Sequence, residues 1–210
     1  VVFDACSESH TGTTGSVSEA SFSWTHTPVG TPAGVVVFVT TLDAFTDNSS
    51  AVSYGAGSTA AVTGGAAVAD LTEDSHVKAY FLGSGLATGA QTVTVTRTNN
   101  ARILYATACT VTAGGNTEVH EAGIVLVQAN GTIAEQSVTD GSPGANSVRF
   151  SHLTSGANAV TSAGANSTTR QSIDVGAVTS GVVSETTAGQ GSRSIGWSGG
   201  AAADNGAVHL

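Results

Sequence analysis

Residues 21–27 read S-F-S-W-T-H-T and residues 91–98 read Q-T-V-T-V-T-R-T, so that small hydroxyl residues alternate with larger ones. A period of two is the signature of a β-strand, whose successive side chains point to opposite faces; a helix needs its apolar residues three and four apart. The first stretch sets Phe22, Trp24 and His26 on one face and Ser21, Ser23, Thr25 and Thr27 on the other. In the second, Val93 and Val95 face inward and the threonines outward. Pro28, Gly30 and Pro32 then break the ladder and predict a turn.

The same logic carries along the chain. Residues 34–42, G-V-V-V-F-V-T-T-L, form a continuous apolar run suited to a central strand covered on both faces, and residues 102–111 read as another long, central strand. Residues 1–5 open the chain as a short strand, and strands are predicted at A-V-S-Y-G-A-G and V-K-A-Y-F-L-G, with a small-residue and then acidic loop between them. Asn130-Gly131, between two apolar stretches, predicts a tight type I′ hairpin, because both turn residues must take φ > 0. N-S-V-R-F-S-H-L aligns Val148, Phe150 and His152 on one face, residues 155–167 read as loop, and V-V-S-E-T-T, S-R-S-I-G-W and A-V-H-L complete about a dozen or more strands.

Composition agrees. Only 10% of residues are charged and 5% aromatic, and the 27 glycines among 210 residues lack the strict third-position repeat of collagen, so they mark turns. With no composition break to divide it, the chain is expected to form a single all-β domain over residues 1–210, an antiparallel two-sheet β-sandwich of jelly-roll type with very little helix.

A net charge of −9, with Lys78 the sole lysine and five scattered arginines, argues against nucleic acid and anionic membranes as partners. No apolar run approaches the roughly 20 residues that span a bilayer. The sequence contains no methionine, as expected if an initiator was removed or the chain is a portion of a longer one. Cys6 and Cys109 read most simply as two buried thiols in apolar strands, with a disulfide as the alternative in an oxidising compartment.

Candidate chemistry is sparse. His26 shares a strand face with Phe22 and Trp24 and reads as packed. His10, His76, His120, His152 and His209 show no paired metal-ligand spacing. Glu118, His120 and Glu121 would ligate a metal only weakly, and the acids of residues 70–74, like Asp43 and Asp47, lack the register of a calcium loop. There is no serine elbow and no phosphate-cradling glycine loop. The N-x-[ST] sequons at Asn48, Asn130 and Asn166 match chance in a chain this rich in Asn, Ser and Thr. No catalytic residue, metal site or cofactor is assigned.

The order of motifs carries a resemblance. F-D-A at Phe3, S-W-T-H-T at Ser23, V-S-Y-G at Val52, Y-F-L at Tyr80 with T-G-A-Q-T-V-T-V at Thr88, and a closing G-A-V-H-L resemble a β-sandwich family found in phage virion proteins and secreted bacterial surface proteins. The sequence departs from that pattern at Gly55-Ala56, where a glycine pair is usual, and at Ala87, where proline often stands. The resemblance implies a non-enzymatic virion structural protein, a capsid decoration or cement protein or a fibre component, located on the virion surface and contacting copies of itself and a major capsid protein. Expected contact elements are the terminal strands, with Val1, Val2 and Phe3 at one end and Val208, His209 and Leu210 at the other, because sheet edges offer unpaired backbone groups. The alternative is a secreted carbohydrate-binding module, for which Trp197 is the aromatic best placed for exposure.

Overall fold

The computed structural model describes residues 1–10, 21–42, 51–68, 75–96, 102–112, 117, 125–130, 136–139, 147–155, 162–174, 179–185, 192–198 and 204–209. These residues form strands and turns, all strand pairings are antiparallel, and no helix occurs among them. A five-stranded sheet holds β1 (Val2–His10), β9 (Arg102–Thr112), β3 (Pro32–Leu42), β7 (Ser75–Leu82) and β6 (Ala60–Val68), in that spatial order. A second five-stranded sheet runs β10 (Val125–Asn130), β18 (Asp204–His209), β12 (Phe150–Ser155), β15 (Thr179–Glu185) and β14 (Ser167–Asp174). The expected sandwich is these two large sheets packed together.

A smaller sheet of β2 (Ser21–His26), β8 (Gln91–Thr96), β4 (Ala51–Tyr54) and β5 (Gly57–Ser58) covers the other face of the first one. Two short ladders, β11 (Gln136–Thr139) with β16 (Ser192–Ile195) and β13 (Ser162–Ala163) with β17 (Trp197–Ser198), complete the set.

The apolar run of β3 now has its reason. Val35, Val37 and Val39 pack with Val52, Tyr54, Val93 and Val95 of the small sheet, while Val36 and Phe38 pack with Phe150 and Val182 of the second large sheet. A strand with a core on each side can spare no polar face, so alternation disappears from its sequence. Strand β9 repeats the device, sending Ala106 and Ala108 one way and Cys109 and Val111 the other. Strand β8, with one wet face, keeps the alternation, and Val93 and Val95 are both fully buried as expected.

Several expectations are corrected. The expected Asn130-Gly131 turn lies partly outside the described residues; of the strands beside it, β10 pairs with β18, with Asn130 opposite Asp204, and β11 pairs with β16. Residues 60–68, read as loop, form β6, and residues 162–163 and 167–174 of the expected 155–167 loop region and beyond are strands β13 and β14. Small residues gave these edges little hydrophobic signal. Cys6 and Cys109 face each other across the β1–β9 ladder and are joined as a disulfide, with Cα atoms 4.1 Å apart. The free-thiol reading treated them as unrelated because only strand pairing brings residues 103 apart in sequence together.

Candidate functional site

The richest polar cluster lies between the small sheet and β1. It depends on a bulge. The β1–β9 register slips between Phe3 and Ala5, so that Asp4 is the extra residue. A one-residue insertion reverses the facing of everything beyond it. Phe3 and Cys6 can therefore both pack in the core between the large sheets, while Asp4 and Ser7 both point at His26 on the other side.

His26, fully buried, joins the two. Its Nδ1 lies 2.7 Å from Ser7 Oγ and its Nε2 lies 3.1 Å from Thr110 Oγ1. The proton directions follow from the ends. Trp24 Nε1–H, a donor only, donates to Ser7 Oγ at 2.9 Å, and the Asp4 carboxylate accepts from Thr110 Oγ1 at 2.9 Å and from the Val29 and Gly30 amides at 3.2 and 2.8 Å. Thr110 has spent its only proton on Asp4, so His26 Nε2–H donates to Thr110 and His26 Nδ1 accepts from Ser7. The chain Trp24, Ser7, His26, Thr110, Asp4 is satisfied throughout with a neutral imidazole. Burial holds the His26 pKa below its ordinary value, with Asp4 pulling weakly the other way. Burial, with Asp4 adding to it, pushes the neighbouring Tyr54 hydroxyl up to about 12.

A serine bonded to a histidine that leads on to a carboxylate has the parts of a nucleophile relay. The geometry uses them otherwise. Ser7 Oγ also accepts the Trp24 N–H, and the carboxylate is reached through Thr110 instead of touching the ring. What the network does is tie β2 of the small sheet to β1 and β9 of the large one. Removing the Thr110 hydroxyl leaves the buried His26 Nε2–H without its acceptor and takes one of three donors from the half-buried Asp4 carboxylate, so Thr110→Val is expected to cost about 1–3 kcal/mol, against less than about 0.5 for Thr94→Val on the outer face. Urea unfolding of the two variants checks the contrast.

A second polar group occupies the core between the large sheets. His152 is fully buried, stacked on Phe38 with ring centres 5.0 Å apart, and Thr40 Oγ1 lies 3.2 Å from its Nε2. Thr40 and Thr154 hydroxyls are 2.9 Å apart, and Tyr105 Oη lies 3.1 Å from Thr154. Burial pushes the His152 pKa down to about 3. At the open flank of this core Arg170 lies over the Phe3 ring at 3.8 Å and donates from Nε to Ser184 Oγ, while Gln171 caps the Cys6 carbonyl at 3.1 Å.

The proposed contact residues divide. Strand β1 is an edge of its sheet, with Val2 58% exposed. Strand β18 is not an edge: it is bracketed by β10 and β12, so Val208 and His209 belong to an interior strand, and Leu210 lies outside the described residues. Trp197 is corrected too. It is 3% exposed, and a Cβ on Gly181 would stand 2.5 Å from Trp197 Cη2, so its ring is pressed against the β15 backbone where only glycine leaves room. The small residues after it suggested exposure, but their partner strand was invisible in sequence. His26 is packed, as expected. Glu118, His120, Glu121, Asp43, Asp47, Asn48 and the acids of residues 70–74 lie outside the described residues, and Asn166 sits exposed in a turn, its amide donating to the Ser194 carbonyl at 3.1 Å.

Asp4, Ser7 and Thr110 were missed. The one available signal was a carboxylate inside V-V-F-D-A, an otherwise apolar strand, since an acid drawn even partly out of water demands partners. Among the described residues no three His, Cys, Asp or Glu side chains gather as a metal site. The outer face of the small sheet carries hydroxyls: Ser21, Ser23, Thr25, Thr92 and Thr96 are exposed, and β2, β8, β4 and β5 contain no Asp, Glu, Lys or Arg. Comparison with known protein families, curated proteins and solved structures finds no match for this chain.

Proposed function

We propose that this chain is a non-enzymatic structural protein of a virion surface, a capsid decoration, cement or fibre component that works through contacts of its outside with copies of itself and with a shell protein. The observation that carries the reading is the direction in which its chemistry faces. The two buried histidines, with Asp4 and the buried threonines around them, are engaged inward in hydrogen bonds that fasten one sheet to the next, and the β1 edge is what the large sheet turns outward with an exposed Val2. A disulfide joining the edge strand to its neighbour suits a protein that works in an oxidising setting such as a particle or cell surface. The motif resemblance points the same way.

The test is location. Antibody-gold labelling and mass spectrometry of purified particles should find the chain on intact virions at a fixed stoichiometry, and light scattering should find it self-associated when released. A monodisperse monomer absent from particles of its source would end this proposal. An assembly interface should bury more than about 1,000 Å², so cross-linking through a cysteine placed at Val2 should trap it.

A further inference from the structure

We propose that the outer face of the small sheet is a binding site for neutral saccharide, an inference independent of the virion reading. Pairing aligns Ser23 with Thr94, Thr94 with Ser53 and Ser53 with Ser58, so one row of hydroxyls crosses all four strands. A parallel row sets Ser21 opposite Thr96, and Thr25 stands opposite Thr92. Strand geometry spaces such rows about 4.8 Å between strands and about 6.7 Å along them. The Ser23 and Thr94 hydroxyls are 2.8 Å apart and bond to each other.

The face is not flat. Beside β5 it dips into a shallow depression of about 290 Å³ lined by the hydroxyl residues Ser53, Ser58, Thr59, Thr94 and Thr96 together with Ala51, Val52, Ala61 and Tyr80. That volume suits a single sugar ring better than a drug-sized ligand, whose pockets run from about 300 to 1,000 Å³. A hydroxyl can both donate and accept, which is the inventory a ring of sugar hydroxyls must match, and the Ser23–Thr94 bond engages one proton of that pair. The Thr59 hydroxyl donates to the Val52 carbonyl at 2.9 Å, which leaves its lone pairs to accept. Charge selects the class. In a chain of net charge −9 these four strands hold no ionised side chain, so an anionic ligand finds no countercharge here and a polyol loses nothing. No exposed aromatic platform is present on these four strands, so each site binds weakly, and several copies on one surface would raise the avidity by about 10²–10⁴.

The experiment is an amide-resonance titration of the whole chain with glucose, galactose, mannose and N-acetylglucosamine, and with sialic acid as the charged comparison. Neutral sugars should shift the amides of Ser53, Ser58, Thr94 and Thr96 and leave those around Trp197 unmoved. The pair Thr94→Val with Ser53→Ala should weaken binding about tenfold or more, since two hydrogen bonds are lost. Ser58→Ala alone, at an exposed position, should reproduce part of the loss if the pair proves poorly folded. Absence of shifts with every neutral sugar, stronger binding of sialic acid, shifts that track protein concentration, or full affinity in the variants would each overturn the site.

Discussion

Replacing Cys6 and Cys109 by alanine, or reducing the bond between them, should destabilise the protein by about 2–4 kcal/mol and lower its Tm by about 5–15 °C. The bond closes a separation of 103 residues, and in the chain-entropy account a loop near that size approaches the upper end of the usual range. Its position adds to the effect. Among the described residues strand β1 pairs on one side only, with β9, and it carries Asp4 and Ser7 into the His26 network. Letting β1 fray therefore loosens the small sheet as well. Cys109 is fully buried and Cys6 partly so, which slows attack on either sulfur, and reduction of the native protein should be slow beside reduction in urea. Equilibrium urea unfolding with and without reductant measures the cost. A difference under about 0.5 kcal/mol would show that packing and ladder bonds hold β1 unaided.

Acid is expected to weaken the fold well before the carboxylates titrate. The pKa of His152 is pushed down to about 3 by burial, from an ordinary 6.5. Among the described residues, the groups shown facing it, Thr40, Thr154, Tyr105 and Phe38, carry no negative charge to favour an imidazolium. Below the ordinary histidine pKa the unfolded chain takes up a proton that the native protein refuses. Stability from this group is thus whole above about pH 6.5 and is lost as pH falls toward 3, at a slope nearing 1.4 kcal/mol per pH unit. His26, also lowered by burial, adds in the same direction. Unfolding free energies at pH 7.5, 6.0 and 5.0 should show the decline. His152→Phe preserves the stack on Phe38 and leaves Thr40 and Thr154 bonded to each other at 2.9 Å, so it should remove most of one histidine's share of that slope. An unchanged slope in the variant would place the acid sensitivity elsewhere.

These two effects also divide what each level of description can reach. Strand character was legible along most of the chain, because period two in S-F-S-W-T-H-T and Q-T-V-T-V-T and unbroken apolarity in G-V-V-V-F-V are consequences of one wet face or none. Even the inward set of Phe22, Trp24 and His26 could be read, and so could the central places of β3 and β9. Partners could not. Nothing local in residues 125–130 names β18 as the neighbour that β10 takes, and Trp197, read as exposed from the small residues after it, is seated against Gly181.

By itself, then, the sequence determined that the fold is all-β, which segments are doubly covered, and that charge would be scarce. Only the tertiary structure decided that Cys6 meets Cys109, that a bulge at Asp4 turns two polar residues toward His26, and that the free hydroxyl face lies on the small sheet. The reason is physical. Which way a side chain points is set by its nearest neighbours along the strand, whereas what it meets is set by which distant strand lies alongside and in what register, and a slip of one residue rewrites every contact.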